Sequence, residues 1–354
     1  MTPDLPTPVT AALDLPLAAA ALDAEVRAGL EVVERRLHGA VQQVDPLADD
    51  AARHLVRAGG KRSRPMLTLL AAHLGDSRRP EVVEAAIVVE LTHLATLYHD
   101  DVMDGAERRR GAPSVHARWG NTVAILTGDL LFARASTIVA ALGPEAVRIQ
   151  AETFERLCLG QLHETIGPRE GEDPVEHYLT VLADKTGSLI ATSARFGAMF
   201  AGCSADVQKV LTTYGEKVGV AFQLADDVID LSSDAATTGK TPGTDLREHV
   251  PTLPVLLLRR AVREAEARGQ AGPGALGSSA ESVSLLAALD GDLSDDAALA
   301  DVLARLAAHP VTALARAEAA RWAEEAVEAL QTLEPSPARD ALRDFATAVV
   351  ARTS

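Results

Sequence analysis

Hydrophobic positions along this chain of 354 residues recur at spacings of three and four far more often than at two. Between Ala24 and Gln43, the residues Leu30, Val33, Leu37 and Val41 fall on one stripe, which predicts an amphipathic helix. Gly59 and Gly60 break the pattern, and Pro65 suits the first turn of the next helix. Residues 82–104 form a long apolar helical run. The stretch "ERRRGAPS" (107–114) reads as a loop from its charge, glycine and proline. Further helical patterns occupy 121–141, 145–164, 174–200, 206–231 and 251–267, and three closing helices 296–308, 310–332 and 336–352. Residues 1–20 read as a mobile tail, the glycines and serines of 269–279 as a flexible connector, and 265–295 as a flexible insertion. The pattern predicts an all-α protein: one large helical bundle over 21–354 around a deep central pocket.

Composition supports helix over strand, because Ala and Leu dominate the apolar share and aromatics are only 3%. The formal net charge of −16 argues against nucleic acid and anionic membranes as partners. Any bound anion must then be held by local basic clusters or through metal ions. Cys158 and Cys203 form no metal-ligand pattern and read as reduced core thiols of a cytoplasmic protein. Asp4, Asp14 and Asp23 interrupt the N-terminal apolar residues, so no signal peptide is expected. No uninterrupted apolar run is long enough to span a bilayer, although peripheral membrane association would suit a greasy product.

The candidate chemistry starts with "HDDVMD" (99–104), where an apolar helix gathers three aspartates, and with its second copy "ADDVID" (225–230). On a helix, positions i and i+4 share a face. Asp100 and Asp104 therefore point together, with Asp101 turned about a quarter circle away. Asp226 and Asp230 repeat that spacing beside Asp227. Carboxylates so placed suit Mg²⁺, which takes one or two of them, keeps waters and shares its other positions with phosphates. Either motif alone reads equally well as an acidic helix end in water; two, each after an apolar run, favour the metal.

Phosphates need cations. "GGKRSRP" (59–65) supplies Lys61, Arg62 and Arg64, and "ERRRG" (107–111) supplies Arg108, Arg109 and Arg110. "DKTGS" (184–188) adds Lys185 and Thr186, and "TGKTPG" (238–243) adds Lys240. Arginine binds phosphate through a fork and lysine as a point charge. Arg62, Arg78, Arg79 and Arg108 read as solvated loop residues. His93 lies two helical turns before Asp100, on the same face.

The blocks "GGKRSRP", "HLATLYHDDVMD", "RRRGAPSVHARWG", "GDLLFARA", "DKTGSLI", "FQLADDVID" and "GKTPGTDLREHVPTLP" occur in that order. Together they resemble the polyprenyl synthetase family, the trans-isoprenyl diphosphate synthases, from about residue 30 to the end. The resemblance implies a helical fold around a deep pocket, usually as a homodimer, with three Mg²⁺ ions. It implies head-to-tail addition of isopentenyl diphosphate to an allylic diphosphate such as farnesyl diphosphate. Carried over by motif, Asp100 and Asp104 bind Mg²⁺ on one wall, and Asp226 binds the third ion on the other, with Asp227 and Asp230 supporting. Asp101 belongs to the same metal set. Arg109 and Lys185, with Lys240, hold the allylic diphosphate. Lys61, Arg64, His93 and Arg110 hold isopentenyl diphosphate, and Thr186 and Gln223 line the reacting centre. One departure stands out: the family often carries Gly-Lys where this chain has His249-Val250, which removes a cation near the allylic diphosphate. Lys240 or Arg247 would have to compensate.

Product length follows from what lies below Asp100. Short-chain members tend to place a bulky aromatic four or five positions earlier; here Thr96 and Ala95 are small. An isoprene unit of ~4–5 Å matches about three helix residues, so a bundle helix accommodates roughly six or seven units. That predicts about 30 to 50 carbons. Phe132, Phe154 and Leu157 are floor candidates, whereas Tyr98 lies on a different face. The alternatives are a shorter-chain synthase making geranylgeranyl diphosphate, a terpene cyclase, or one subunit of a two-component synthase. A cyclase normally carries a different second metal motif, and a non-catalytic subunit loses both.

Overall fold

The structure is a computed structural model that describes residues 19–232, 243–247, 250–267 and 276–351. It is almost wholly helical, as the apolar spacing predicts, and packs into two compact units. The first comprises residues 1–158, 187–216 and 326–345; the second comprises 159–186, 217–325 and 346–354.

In the first unit, α1 (Ala20–Ala40) buries the predicted stripe: Leu30, Val33 and Leu37. Helix α2 (Pro46–Arg57) is an element absent from the expected set, and it buries Ala51, Ala52, Leu55 and Val56 on one face. It is built on a local signal, since Asp45 accepts a hydrogen bond from Ala48 N at 2.9 Å and Pro46 opens the first turn. Helix α3 (Ser63–Ala72) and the long α4 (Pro80–Met103) follow. α4 packs on α3, on α6 (Asn121–Leu142) and on α9 (Ser188–Phe200). Its Ile87, Leu91 and Leu94 are fully buried, each contributing about 1.5–3 kcal/mol of transfer free energy. The expected loop after α4 is a hairpin, β1 (Arg108–Arg109) against β2 (Ala112–Pro113), followed by the short α5 (Val115–Trp119).

Helix α7 (Pro144–Ile166) starts in the first unit and ends in the second. The predicted helix 174–200 is three elements: α8 (Pro174–Leu182), a π-turn at Ala183–Gly187, and α9. α10 (Ala205–Ser232) carries the second aspartate motif. The short α11 (Thr244–Arg247), α12 (Leu253–Ala267), α13 (Ala280–Leu289), α14 (Asp296–Ala308), α15 (Pro310–Ala329) and α16 (Pro337–Ala351) complete the chain. The expected insertion at 265–295 is corrected in part: α13 buries Leu285 and Leu289 in a core with Leu258, Val302 and Leu306. Residues 268–275 of the expected connector, and the expected tail up to residue 18, lie outside the described residues.

Two further expectations change. Cys158 is exposed, so it is not a core thiol, while Cys203 is half-buried. By length and composition, α4 and α6 would each pass as membrane spans. In α4, 67% of that apolar window is buried inside the protein; in α6 only 33% is, and Ile125 and Leu126 remain exposed.

Candidate active site

In the first unit, the first motif closes α4. Asp104 is the C-cap residue, with its backbone N–H bonded to Asp100 O at 2.8 Å. Asp100 is half-buried and Asp104 exposed, so the i, i+4 pair stays accessible. Asp101 is not: it is fully buried, and Arg109 Nε donates to its Oδ1 at 2.6 Å. Burial raises the Asp101 carboxyl above its ordinary range even with Arg109 beside it. Asp101 therefore fits a role in orienting Arg109 rather than the metal set in which the sequence places it. Neither Nη of Arg109 makes a hydrogen bond among the described residues, which leaves that edge for an anion.

Arg64 and Arg110 form a cationic cluster beside His93 in the same unit. Burial pushes the Arg64 guanidinium down to about 10, with Arg110 adding repulsion, and its Nε is buried with no hydrogen-bond partner among the described residues. Burial drives the His93 imidazole well below its ordinary value, and the charges of Arg64, Arg110, Arg62 and Arg109 add to that, so His93 is neutral at physiological pH. Arg110 adopts a left-handed backbone (φ 53°), donates to Leu55 O at 3.1 Å and also to Gly59 O. Gly60 sits at φ 146°, where L side chains are disfavoured, and a Cβ there would lie 2.7 Å from the Arg110 guanidinium carbon and push it aside. Lys61 is exposed at the edge of this loop. Arg78, Arg79 and Arg108 are exposed, as the sequence suggests, but Arg62 is not: it is buried between Glu34 and Glu90.

Below Asp100, Ala95 is fully buried and Thr96 half-buried, with the Thr96 hydroxyl bonded to His93 O at 2.9 Å. Phe132 of α6 and Phe154 of α7 stack with ring centroids 3.8 Å apart; Leu157 is buried. Tyr98 faces α2, donating to Ala51 O at 2.6 Å, and is no gate.

The second unit holds the rest. Lys185 and Thr186 lie in the π-turn, a local widening that often marks functional sites. Gly160 of α7 lets that turn approach, since a Cβ there would sit 2.7 Å from Lys185 N. Lys185 Nζ pairs with Glu164. On α10, Asp226, Asp230 and Gln223 are half-buried, whereas Asp227 is 3% exposed. Tyr178 OH donates to Asp227 Oδ2, and Gln223 Nε2 reaches Oδ1 at 3.4 Å. Like Asp101, Asp227 is buried and hydrogen-bonded within the protein. Arg247 is committed to Asp296 at 2.5 Å. Lys240 and His249 lie outside the described residues. Sequence reasoning missed Glu34, Glu90, Glu164 and Tyr178. Glu90 had a signal: a carboxylate amid Val88, Val89 and Leu91 must be paired once buried.

Among the described residues, no three His, Cys, Asp or Glu side chains converge as a ready-made metal cage. Carboxylates paired at i, i+4 fit Mg²⁺ instead, because that ion shares its shell with water and substrate phosphate. Known proteins agree with this chemistry. A sequence profile described as Polyprenyl synthetase matches residues 45–273. The chain is 45% identical over 347 residues to the nonaprenyl diphosphate synthase of Mycobacterium tuberculosis, covering 98% of this chain and 99% of that one. It resembles the geranylgeranyl pyrophosphate synthase of Corynebacterium glutamicum, solved with calcium and isoprenyl diphosphate, at TM-score 0.80 and 42% identity over 96% and 99% of the two chains. It also resembles the decaprenyl diphosphate synthase of Rhodobacter capsulatus, at TM-score 0.79 and 30% identity over 95% and 99%. The chain belongs to the polyprenyl synthetase family.

Proposed function

We propose that this protein is a trans-prenyltransferase that adds isopentenyl diphosphate head-to-tail to an allylic diphosphate such as farnesyl diphosphate, making a long-chain all-trans polyprenyl diphosphate. The observation that carries this reading is the cluster of Arg64, Arg110 and neutral His93 on and beside the helix that ends in Asp100. A one-substrate cyclase needs one diphosphate site; this cluster supplies cations for a second.

Asp100 and Asp104, with Asp226 and Asp230, hold Mg²⁺, three ions in all. When bound, Mg²⁺ stabilises the charge that develops on the departing pyrophosphate. Arg109, held by Asp101, and Lys185, helped by Lys240, bind the allylic diphosphate. Lys61, Arg64, His93 and Arg110 bind isopentenyl diphosphate. The allylic C–O bond breaks, the homoallylic double bond attacks the allylic carbon, and the proton lost afterwards goes to the released pyrophosphate. Thr186 and Gln223 turn dipoles toward the cation, and the surrounding apolar side chains exclude the water that would quench it.

Small Ala95 and Thr96 put no bulky side chain in the first turns below Asp100 to stop the growing chain, and the Phe132–Phe154 stack would be its floor. The nonaprenyl and decaprenyl synthases among the relatives support a long product. The geranylgeranyl synthase keeps the shorter product as the rival reading. A second copy of the chain covers the apolar face of α6, where Ile125 and Leu126 are exposed. The test is Mg²⁺-dependent incorporation of labelled isopentenyl diphosphate into farnesyl diphosphate. Incorporation that chelation abolishes is the expected result; a cyclised hydrocarbon formed without isopentenyl diphosphate would overturn the transferase reading.

A further inference from the structure

Arg62 has no free face with which to touch a substrate. Its side chain is 3% exposed, and all three of its nitrogens are engaged. Nε and Nη2 grip Glu34 of α1 at 2.7 and 2.9 Å. Nη1 donates to Glu90 of α4 at 2.9 Å. Two backbone carbonyls complete the set: Gly59 O, and Val56 O at the end of α2, each at 3.3 Å. One guanidinium thus ties three helices to the loop that carries Lys61 and Arg64.

We infer that Arg62, Glu34 and Glu90 are positioning residues that set the affinity for the homoallylic diphosphate, an inference that rests on reading Lys61, Arg64, His93 and Arg110 as its binding set. Three observations lead there. First, Arg62 is itself the N-cap of α3, in the left-handed region at φ 48°, ψ 32°. A residue with a Cβ takes that conformation only when its surroundings impose it. This turn stands between Lys61 and Arg64 in the chain, and the buried fork holds it. Second, Gly59 O accepts from both Arg62 and Arg110, so the two left-handed arginines share one anchor. Third, Glu90 lies one turn before His93 on α4, and its carboxylate is the charge that most offsets the burial of Arg64 and Arg110. Without an anion, the cluster of Arg62, Arg64 and Arg110 outnumbers Glu34 and Glu90, which suits a site built to receive a diphosphate.

Lysine cannot reproduce this arrangement, because a point charge cannot grip two carboxylates from two helices in one plane. The experiment compares R62K and E34Q with R64A as control, measuring KM for each substrate and the melting temperature. R62K should raise KM for isopentenyl diphosphate about tenfold and leave KM for farnesyl diphosphate within about twofold. E34Q, at a half-buried carboxylate that folding tolerates better, should shift the same KM in the same direction by less. Should R64A leave that KM unchanged, the assignment of the binding set fails and this inference with it. Should R64A raise it while R62K and E34Q do not, or while they move both KM values equally, the triad only holds the fold and the inference is wrong.

Discussion

The two aspartate motifs share a pattern and differ in what secures their middle carboxylate. In each, the outer aspartates are less buried than the second, although Asp230 Oδ2 is itself buried: Asp101 is fully buried and Asp227 is at 3% exposure. Asp101 is held by a cation, Arg109, which arrives on the hairpin after α4. Among the described residues, Asp227 accepts from two neutral donors, the phenol of Tyr178 and the amide of Gln223. The same letters therefore do different work. The first motif aims a guanidinium; the second is braced against its own unit, where Tyr178 packs on Leu224, Val228 and Val220. Breaking a charge pair strands a charge, whereas breaking a neutral hydrogen bond forfeits far less.

Substitutions can break or sharpen that contrast. The largest effect should come from the outer aspartates. Asp100→Asn and Asp226→Asn should each lower kcat about a thousandfold with little change in melting temperature, read by labelled incorporation and calorimetry. If one of them stayed active, the motifs would not be functional equals. The inner pair should then separate. Asp101→Asn leaves Arg109 half-buried without its counter-charge, and should cost about 2 kcal/mol in urea denaturation and raise KM for the allylic diphosphate. Asp227→Asn still accepts from Tyr178, and should cost about 1 kcal/mol or less. Equal losses at both positions would erase the distinction. Smallest of all, Tyr178→Phe removes one donor to Asp227 and should lower kcat only a few-fold while the fold survives, about 1 kcal/mol.

A pH effect follows from the buried histidines. His93 and His73 in the first unit and His309 in the second have imidazoles depressed by burial, while the unfolded chain titrates them near about 6.5. As pH falls through that value the unfolded state takes up protons first, so stability present above it is lost below. Urea denaturation at pH 7.5 and 5.5 should show this loss, and His93→Gln should reduce it. An unchanged slope in that variant would mean His93 is not buried neutral.

Much of this was legible in the sequence, for identifiable reasons. Helix α1 was readable because burial of one face enforces 3.6-residue spacing, and α4 because its long apolar run, buried on nearly all sides, exceeds any strand. Helix α2 was missed because its buried stripe, Ala51, Ala52, Leu55 and Val56, is short and half alanine, and Leu47 lies exposed outside it. The π-turn at Ala183–Gly187 was invisible, since one extra residue per turn leaves no periodic mark in five residues. Among site residues, the i, i+4 aspartates announced themselves by spacing. The burial of Asp101, Asp227 and Arg62 did not, because it depends on partners such as Glu34 and Tyr178, remote in sequence.

Product length most directly tests the account. Purified protein would be incubated with farnesyl diphosphate, labelled isopentenyl diphosphate and Mg²⁺, and the dephosphorylated alcohols sized, with Ala95→Phe run beside it. Wild type should give one long prenyl alcohol of about 30 to 50 carbons, and Ala95→Phe a markedly shorter one. A wild-type product that stops at geranylgeraniol, unchanged by Ala95→Phe, would contradict both the open turns below Asp100 and the long-chain assignment.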